Sequence, residues 1–239
     1  MPPSGPQWYF EITVHKTFAG NGVGLLVLAT SLASGQSVNV DLDPTRLQPK
    51  NVKADPVTFK GRKAVRLTDT AAQDVPDGLR YAVLTGSDFA DGVIEVELAG
   101  DTLPTADPAA RGFTGIAFRM SADGSRYESF YLRPKNGRAE DQLQRNHSAQ
   151  YISEPEFPWQ RLRQETPGKY ESYVDLVPSE WTPIKIDVRG DKARLYVYGS
   201  PQPTLVVSDL KHGRSKGAIA LWIGPGTIAH FANLRVTRQ

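Results

Sequence analysis

Short runs of alternating apolar and polar residues recur from Ser37 to the C-terminus, and no stretch of ten residues carries a convincing helical period. In Thr182-Pro-Ile-Lys-Ile-Asp-Val188, Ile184, Ile186 and Val188 share one face while Lys185 and Asp187 share the other. That is the period of a strand with one buried and one wet face. Similar runs are read at Val57–Phe59, Ala64–Leu67, Arg80–Leu84, Val93–Leu98, Phe113–Met120, Arg126–Arg133 and Tyr170–Asp175. The C-terminal third adds Ala193–Tyr198, Thr204–Val207, Ala218–Ile223 and Ile228–Val236. Turn residues separate them, at Lys60-Gly-Arg-Lys63, Arg189-Gly-Asp-Lys192 and Tyr198-Gly-Ser-Pro201. Residues 71–77 and 139–146 are expected to carry a helical turn at most. Strands spaced this way, without helices between them, predict an all-β chain built as a two-sheet antiparallel sandwich of the jelly-roll kind.

No repeat, linker or low-complexity tract divides residues 37–239, so one domain is expected there. In front of it, Val23-Gly-Leu-Leu-Val-Leu-Ala-Thr-Ser-Leu-Ala33 is an apolar run too short for a bilayer, which takes roughly 20 apolar residues. The small residues Ala33-Ser34-Gly35 follow it, which is the layout of a secretory signal. Residues 1–36 are therefore expected to be an export segment and the domain secreted or periplasmic. Met1–Gly22 makes a poor positive n-region, which a start codon placed upstream of about Phe18 explains. The 28 basic and 26 acidic residues nearly balance, so charge makes no case for a nucleic-acid partner. Cysteine is absent, which removes disulfides, thiolate nucleophiles and cysteine-ligated zinc.

The segment Pro134–Gly168 is expected to be one long loop facing a ligand, since loops beyond about 12–15 residues are often functional. It holds Asn136, Arg138, Asp141, Gln142, Arg145, Asn146, His147, Tyr151, Trp159, Arg161 and Arg163. A glycan site needs flat aromatic faces and polar groups for hydroxyls. Arg119 alternates with Gly115 and Ala117, whose small side chains leave room for a ligand, so that face is expected to be the concave one. Strand 126–133 offers two phases, Tyr127/Ser129/Tyr131/Arg133 and Arg126/Glu128/Phe130/Leu132, and a slip of one residue exchanges them. A cross-strand Arg119–Glu128 ion pair is the plainer alternative.

The motifs Gly112-Phe-Thr-Gly-Ile-Ala-Phe-Arg119, Tyr127-Glu-Ser-Phe-Tyr-Leu-Arg-Pro134 and Glu180-Trp-Thr-Pro-Ile-Lys-Ile186 resemble the middle of concanavalin A-like lectin/glucanase sandwiches. The order of the closing strands, Ala193–Gly199, Gly217–Gly224 and Phe231-Ala-Asn-Leu-Arg-Val236, is similar too. Within that group the chain is most similar to the 3-keto-disaccharide hydrolase family, with laminin-G-like modules close behind. The resemblance spans roughly residues 38–239 and implies a jelly roll whose concave sheet meets glycans, often in exported bacterial proteins. The chain lacks the Glu-x-Asp-x-x-Glu strand of related β-glucanases, and Phe130 stands where the keto-disaccharide family carries a polar residue.

Three functions remain open on these grounds. The first is a carbohydrate-binding domain using Arg119, Tyr131, Arg133, Gln142, Arg145, Asn146 and Trp159. The second is a glycoside hydrolase with Glu128, Asp141 or His147 as acid or base; the third is a laminin-G-like adhesion module. Hydrolysis by the usual route needs two carboxyls about 5–5.5 or 6.5–9.5 Å apart, and Glu171 and Asp175 join Glu128 and Asp141 as candidates. Imidazole titrates near neutrality, which singles out His147, although a lone loop histidine also serves as an ordinary scaffold. Trp181, Trp222, His212 and His230 read as structural. No histidine pair has metal-ligand spacing, and neither a metal nor a cofactor is expected.

Overall fold

In a computed structural model, the described residues are 36–239 except Gln73, so residues 1–35 of the expected export segment lie outside them. The alternating runs become strands, and the described residues hold fifteen in all. The first eight are β1 (Ser37–Asn39), β2 (Leu47–Lys50), β3 (Val52–Phe59), β4 (Arg62–Asp69), β5 (Tyr81–Leu84), β6 (Gly92–Thr102), β7 (Thr114–Met120) and β8 (Tyr127–Leu132). The helix α1 (Gln142–Asn146), β9 (Ala149–Glu154), α2 (Trp159–Glu165) and β10 (Glu171–Ser172) follow. The chain closes with β11 (Thr182–Arg189), β12 (Lys192–Val197), β13 (Leu205–Val207), β14 (Ala218–Ile223) and β15 (Thr227–Arg238).

Two antiparallel sheets result, as expected. The eight-stranded sheet runs β13-β12-β11-β6-β15-β4-β3, with β1 paired to β15. The seven-stranded sheet runs β10-β9-β8-β7-β14-β5-β2. Period two places Ile94, Val96 and Leu98 of β6 and Ile184, Ile186 and Val188 of β11 in the core, with intervening residues less buried. From the seven-stranded sheet, Ile116, Phe118, Phe130 and Tyr151 are buried, with Phe118 and Phe130 stacked at 6.3 Å and Phe130 and Tyr151 5.6 Å apart. Pro56 and Pro49 sit on the edge strands β3 and β2, where a missing N–H costs no central ladder bond.

Every residue of β7 and β8 is buried, so this sheet is covered on its outer side as well. The cover comes partly from residues 134–168, which carry β9, α1 and α2 as well as irregular chain. β9 gives no alternating signal because Gln150 and Ser153 are as buried as Tyr151 and Ile152. The expected strand 170–175 contracts to the two residues of β10.

One irregularity decides which residues face outward. Ala117 pairs with Ala220 and Met120 with Ala218, so β7 holds two residues where β14 holds one, a β-bulge at Phe118-Arg119. Arg119 takes φ +54° there. Its side chain does not share the face of Gly115 and Ala117, contrary to the strict alternation expected. Instead Nε donates to Ala90 O (2.9 Å), Nη1 to Gly213 O (2.8 Å), and Nη2 to Gly190 O and Asp91 Oδ1 (2.8 Å each). Arg119 thus ties the seven-stranded sheet to the turn between β11 and β12.

Candidate functional site

β8 presents Tyr127, Ser129, Tyr131 and then Arg133 to the outer side of the seven-stranded sheet. Opposite Tyr131 on β7 stands Gly115, and opposite Gly115 on β14 stands Trp222. A Cβ on Gly115 would meet Phe130 O at 2.2 Å and Tyr131 Cβ at 2.5 Å. Its absence lets the Tyr131 and Trp222 rings approach to 4.7 Å across the middle strand. Phe113 packs edge-on to Tyr131 at 6.2 Å, and Trp159 at the start of α2 adds a fourth aromatic wall. These rings line a cleft of about 470 Å³, within the usual 300–1,000 Å³ of ligand pockets.

Polar groups gather at the two ends. Tyr127 and Arg133 are six residues apart, about 20 Å of strand. At the Tyr127 end, Glu154 and Asp77 line the cleft. Gly78 carries no side chain there; a Cβ would stand 2.9 Å from both Glu154 Cδ and Tyr127 Oη. The Tyr127 hydroxyl donates to Gly78 O (2.5 Å) and accepts from Trp222 Nε1 (3.0 Å), which holds the indole in place. Burial, with the charges of Asp77 and Glu156 adding, pushes the Glu154 carboxyl up to about 7.

At the other end, Arg133 donates from Nη1 to His147 O (2.9 Å) and Gln150 Oε1 (3.1 Å), and from Nη2 to the Tyr131 hydroxyl (2.8 Å). Burial pushes that hydroxyl up to about 12 and lowers the Arg133 pKa from its ordinary value. Arg163 of α2 donates from Nε to Glu171 Oε1 (3.0 Å), and its Nη2 donates to the same oxygen. Its guanidinium lies 4.6 Å from the Trp159 ring centre. His147 Nδ1 stands 2.7 Å from Glu171 Oε2, off the line of a regular hydrogen bond. Burial lowers the His147 pKa despite that carboxylate. Asn136 Oδ1 is buried without a protein partner.

The expected site residues divide. Tyr131, Arg133, His147 and Trp159 line the cleft together. Arg119 does not, being consumed by the bulge. Glu128 does not either: it lies in the phase of β8 that faces the core, fully buried, where its carboxylate accepts from the Tyr151 hydroxyl (2.5 Å) and His212 N (2.9 Å). No Arg119–Glu128 pair forms, since the two side chains have these other partners. Asp141 caps α1 by accepting from Gln144 N (2.7 Å). Gln142 donates to Asn146 one helical turn on, both exposed, and Arg145 donates to the Tyr173 hydroxyl (3.0 Å). On α1 it is Gln144 that reaches the cleft wall. Asp175 is engaged by Arg138 through two hydrogen bonds, at 2.8 and 2.9 Å.

No family model matches the chain, and no curated protein matches it. Solved structures do. The carbohydrate-binding module CBM66 from Bacillus subtilis superposes with a TM-score of 0.54 at 13% identity, covering 80% of this chain and 96% of that one. The shared fold is a two-sheet antiparallel jelly-roll sandwich. Lower in similarity are a β-glucanase from Bacillus licheniformis (TM-score 0.46, 15% identity, 87% of this chain and 100% of that one) and a galectin from Caenorhabditis elegans (0.36, 13%, 77% and 95%).

Several cleft residues carried no readable signal. Trp222 sits in an apolar strand and reads as core, although it forms part of the cleft floor. Phe113 and Asp77 lie far from His147 and Trp159 in sequence, and Glu154, though near both, gains its place only when β9 pairs with β8 and sets it opposite Tyr127. Among the described residues, no group of three His, Asp or Glu is arranged to hold a metal, and no helix is long and apolar enough to cross a membrane.

Proposed function

We propose that the cleft on the seven-stranded sheet binds a saccharide. The observation that carries this reading is the aromatic floor of Tyr131 and Trp222, walled by Phe113 and Trp159 and closed at both ends by fixed polar groups. Ring faces take the C–H surfaces of a pyranose or furanose, while guanidinium, amide and carboxyl groups take its hydroxyls. The floor is held by Tyr127 and Gly115, so little is lost in ordering it on binding. Titration calorimetry against a panel of neutral and acidic oligosaccharides tests the reading. A ligand should bind, and Trp159→Ala should weaken it by about tenfold, the order expected of an aromatic anchor. A folded protein that binds nothing in the panel removes the saccharide reading and favours a protein-contacting module. A saccharide ligand also suits the secreted or periplasmic location expected from residues 23–35, which N-terminal sequencing of secreted material checks.

A second reading rests on Glu154. A carboxyl that keeps its proton near pH 7 is equipped to protonate a leaving oxygen, and Glu154 lines the cleft beside Asp77. Incubation with the same oligosaccharides and with 3-keto-glucosides tests it. Turnover lost in Glu154→Gln with affinity retained supports a hydrolase, whereas no turnover by the wild type leaves a binding domain.

A further inference from the structure

The Arg133 end of the cleft holds more positive charge than its internal partners neutralise. Glu171 is the carboxylate shared by two guanidiniums: Arg163 chelates it, and Arg133 Nη1 stands 3.6 Å from it. His147, the third basic group against Glu171, is kept towards its neutral form by burial. A third guanidinium, Arg111, lines the same cleft and donates only to backbone, to Pro108 O (2.6 Å) and Ala110 O (2.9 Å). The acidic groups Asp77 and Glu154 lie at the far end, and Asp107 is exposed at the rim.

A buried carboxylate requires one good cationic partner. A second guanidinium with its side chain only 5% exposed is costly to bury without an anion of its own. Such departures from internal neutrality concentrate at binding sites. An independent observation points the same way: Asn136, 4% exposed and on the cleft wall, has a buried Oδ1 with no partner in the protein. That acceptor suits a ligand hydroxyl beside the anionic group.

We propose that the Arg133–Arg163 end of the cleft is an anion subsite, and that the ligand is an acidic saccharide whose carboxylate pairs there while its rings lie along Tyr131 and Trp222. This rests on the saccharide reading above and narrows it. A planar carboxylate also pairs end-on with a guanidinium, and Arg163, partly exposed and stacked on Trp159, has an Nη1 side that Glu171 does not use and that is left for the ligand. Asn136 Oδ1 accepts from a neighbouring hydroxyl. Uronic acids supply this chemistry; sulfated sugars supply the same charge without the planar geometry.

Calorimetry with the full chain separates these sources. The probes are oligogalacturonate, its methyl ester, a chondroitin sulfate oligosaccharide and a neutral oligosaccharide of similar length. The acid should bind roughly tenfold or more tightly than its ester, the range set by a charge-assisted hydrogen bond. That preference should shrink as salt is raised. Arg163→Gln should bring the acid-to-ester affinity ratio close to one, and Arg163→Lys should restore part of it. Lys216→Gln, on an exposed ion pair elsewhere, should leave the ratio as in the wild type. Thermal melts of each variant show whether it is folded. Equal affinity for acid and ester, with Arg163→Gln unchanged, overturns the anion subsite and leaves the saccharide reading standing. Binding of the sulfated probe alone overturns the carboxylate assignment. Loss of all four ligands in the folded wild type overturns both readings.

Discussion

Arg119 and Glu128 look in sequence like a ligand-binding pair, and in the folded chain they are two interior fasteners. Arg119 satisfies three backbone carbonyls and Asp91, so truncating it strands those acceptors and leaves a hole between the sheets. Arg119→Met should destabilise the protein by about 3 kcal/mol or more, as breaking a buried charged network does, with melts and urea unfolding as the readout. Its saccharide affinity, measured well below the melting temperature, should stay within about twofold, since the side chain does not line the cleft. A large loss of affinity at unchanged stability would put Arg119 back in the site. The reason for the misreading is local. A bulge at a non-glycine residue leaves no mark in the sequence, and strict alternation then assigns the wrong face to Arg119. Tyr131, Arg133, His147 and Trp159, singled out by residue type alone, do gather in one cleft, as does Asn136. Glu154 and Asp77 were not legible, because their significance lies in burial and in neighbours distant along the chain.

At the scale of elements, the strands that were readable are those with one wet face, such as β6 and β11, where Glu95, Glu97, Lys185 and Asp187 interrupt the apolar positions. β9 escaped notice because both of its faces are covered, so hydrophobic periodicity is lost. β7 is covered on both faces too, and Gly115 on it has a specific duty. Gly115→Ala would drive a methyl group into Phe130 O and Tyr131 Cβ, forcing β7 and β8 apart. A cost of about 3 kcal/mol is expected, the upper end for overpacking, together with weaker saccharide binding as the Tyr131–Trp222 contact opens. Urea unfolding and calorimetry check the two effects separately. A variant with wild-type stability and affinity would show that the rings do not depend on that close approach.

Over the whole molecule, two half-buried groups on different sheets set opposing responses to pH. Glu154 rises from an ordinary 4.5 to about 7, so the stability it contributes is present in full below about pH 4.5 and is lost as the pH climbs through 7. His230, stacked on Phe59 at 3.7 Å, falls from 6.5 to about 4 because burial disfavours its charged form. Its contribution is present above about pH 6.5 and is lost as the pH drops through 4. Between pH 4.5 and 6.5 the two slopes oppose each other. Glu154→Gln should therefore make unfolding free energy rise with pH across that window relative to wild type, and His230→Gln should make it fall. Urea unfolding at a series of pH values reads both, and identical slopes in all three proteins would contradict the assignment. The placement of the tryptophans has its own use. The sequence has four; Trp8 lies outside the described residues, Trp181 packs against Phe59, and Trp159 and Trp222 line the cleft. Two indoles that a ligand would touch make the protein its own fluorophore, so that occupancy of the cleft can be followed by ultraviolet emission from unlabelled protein.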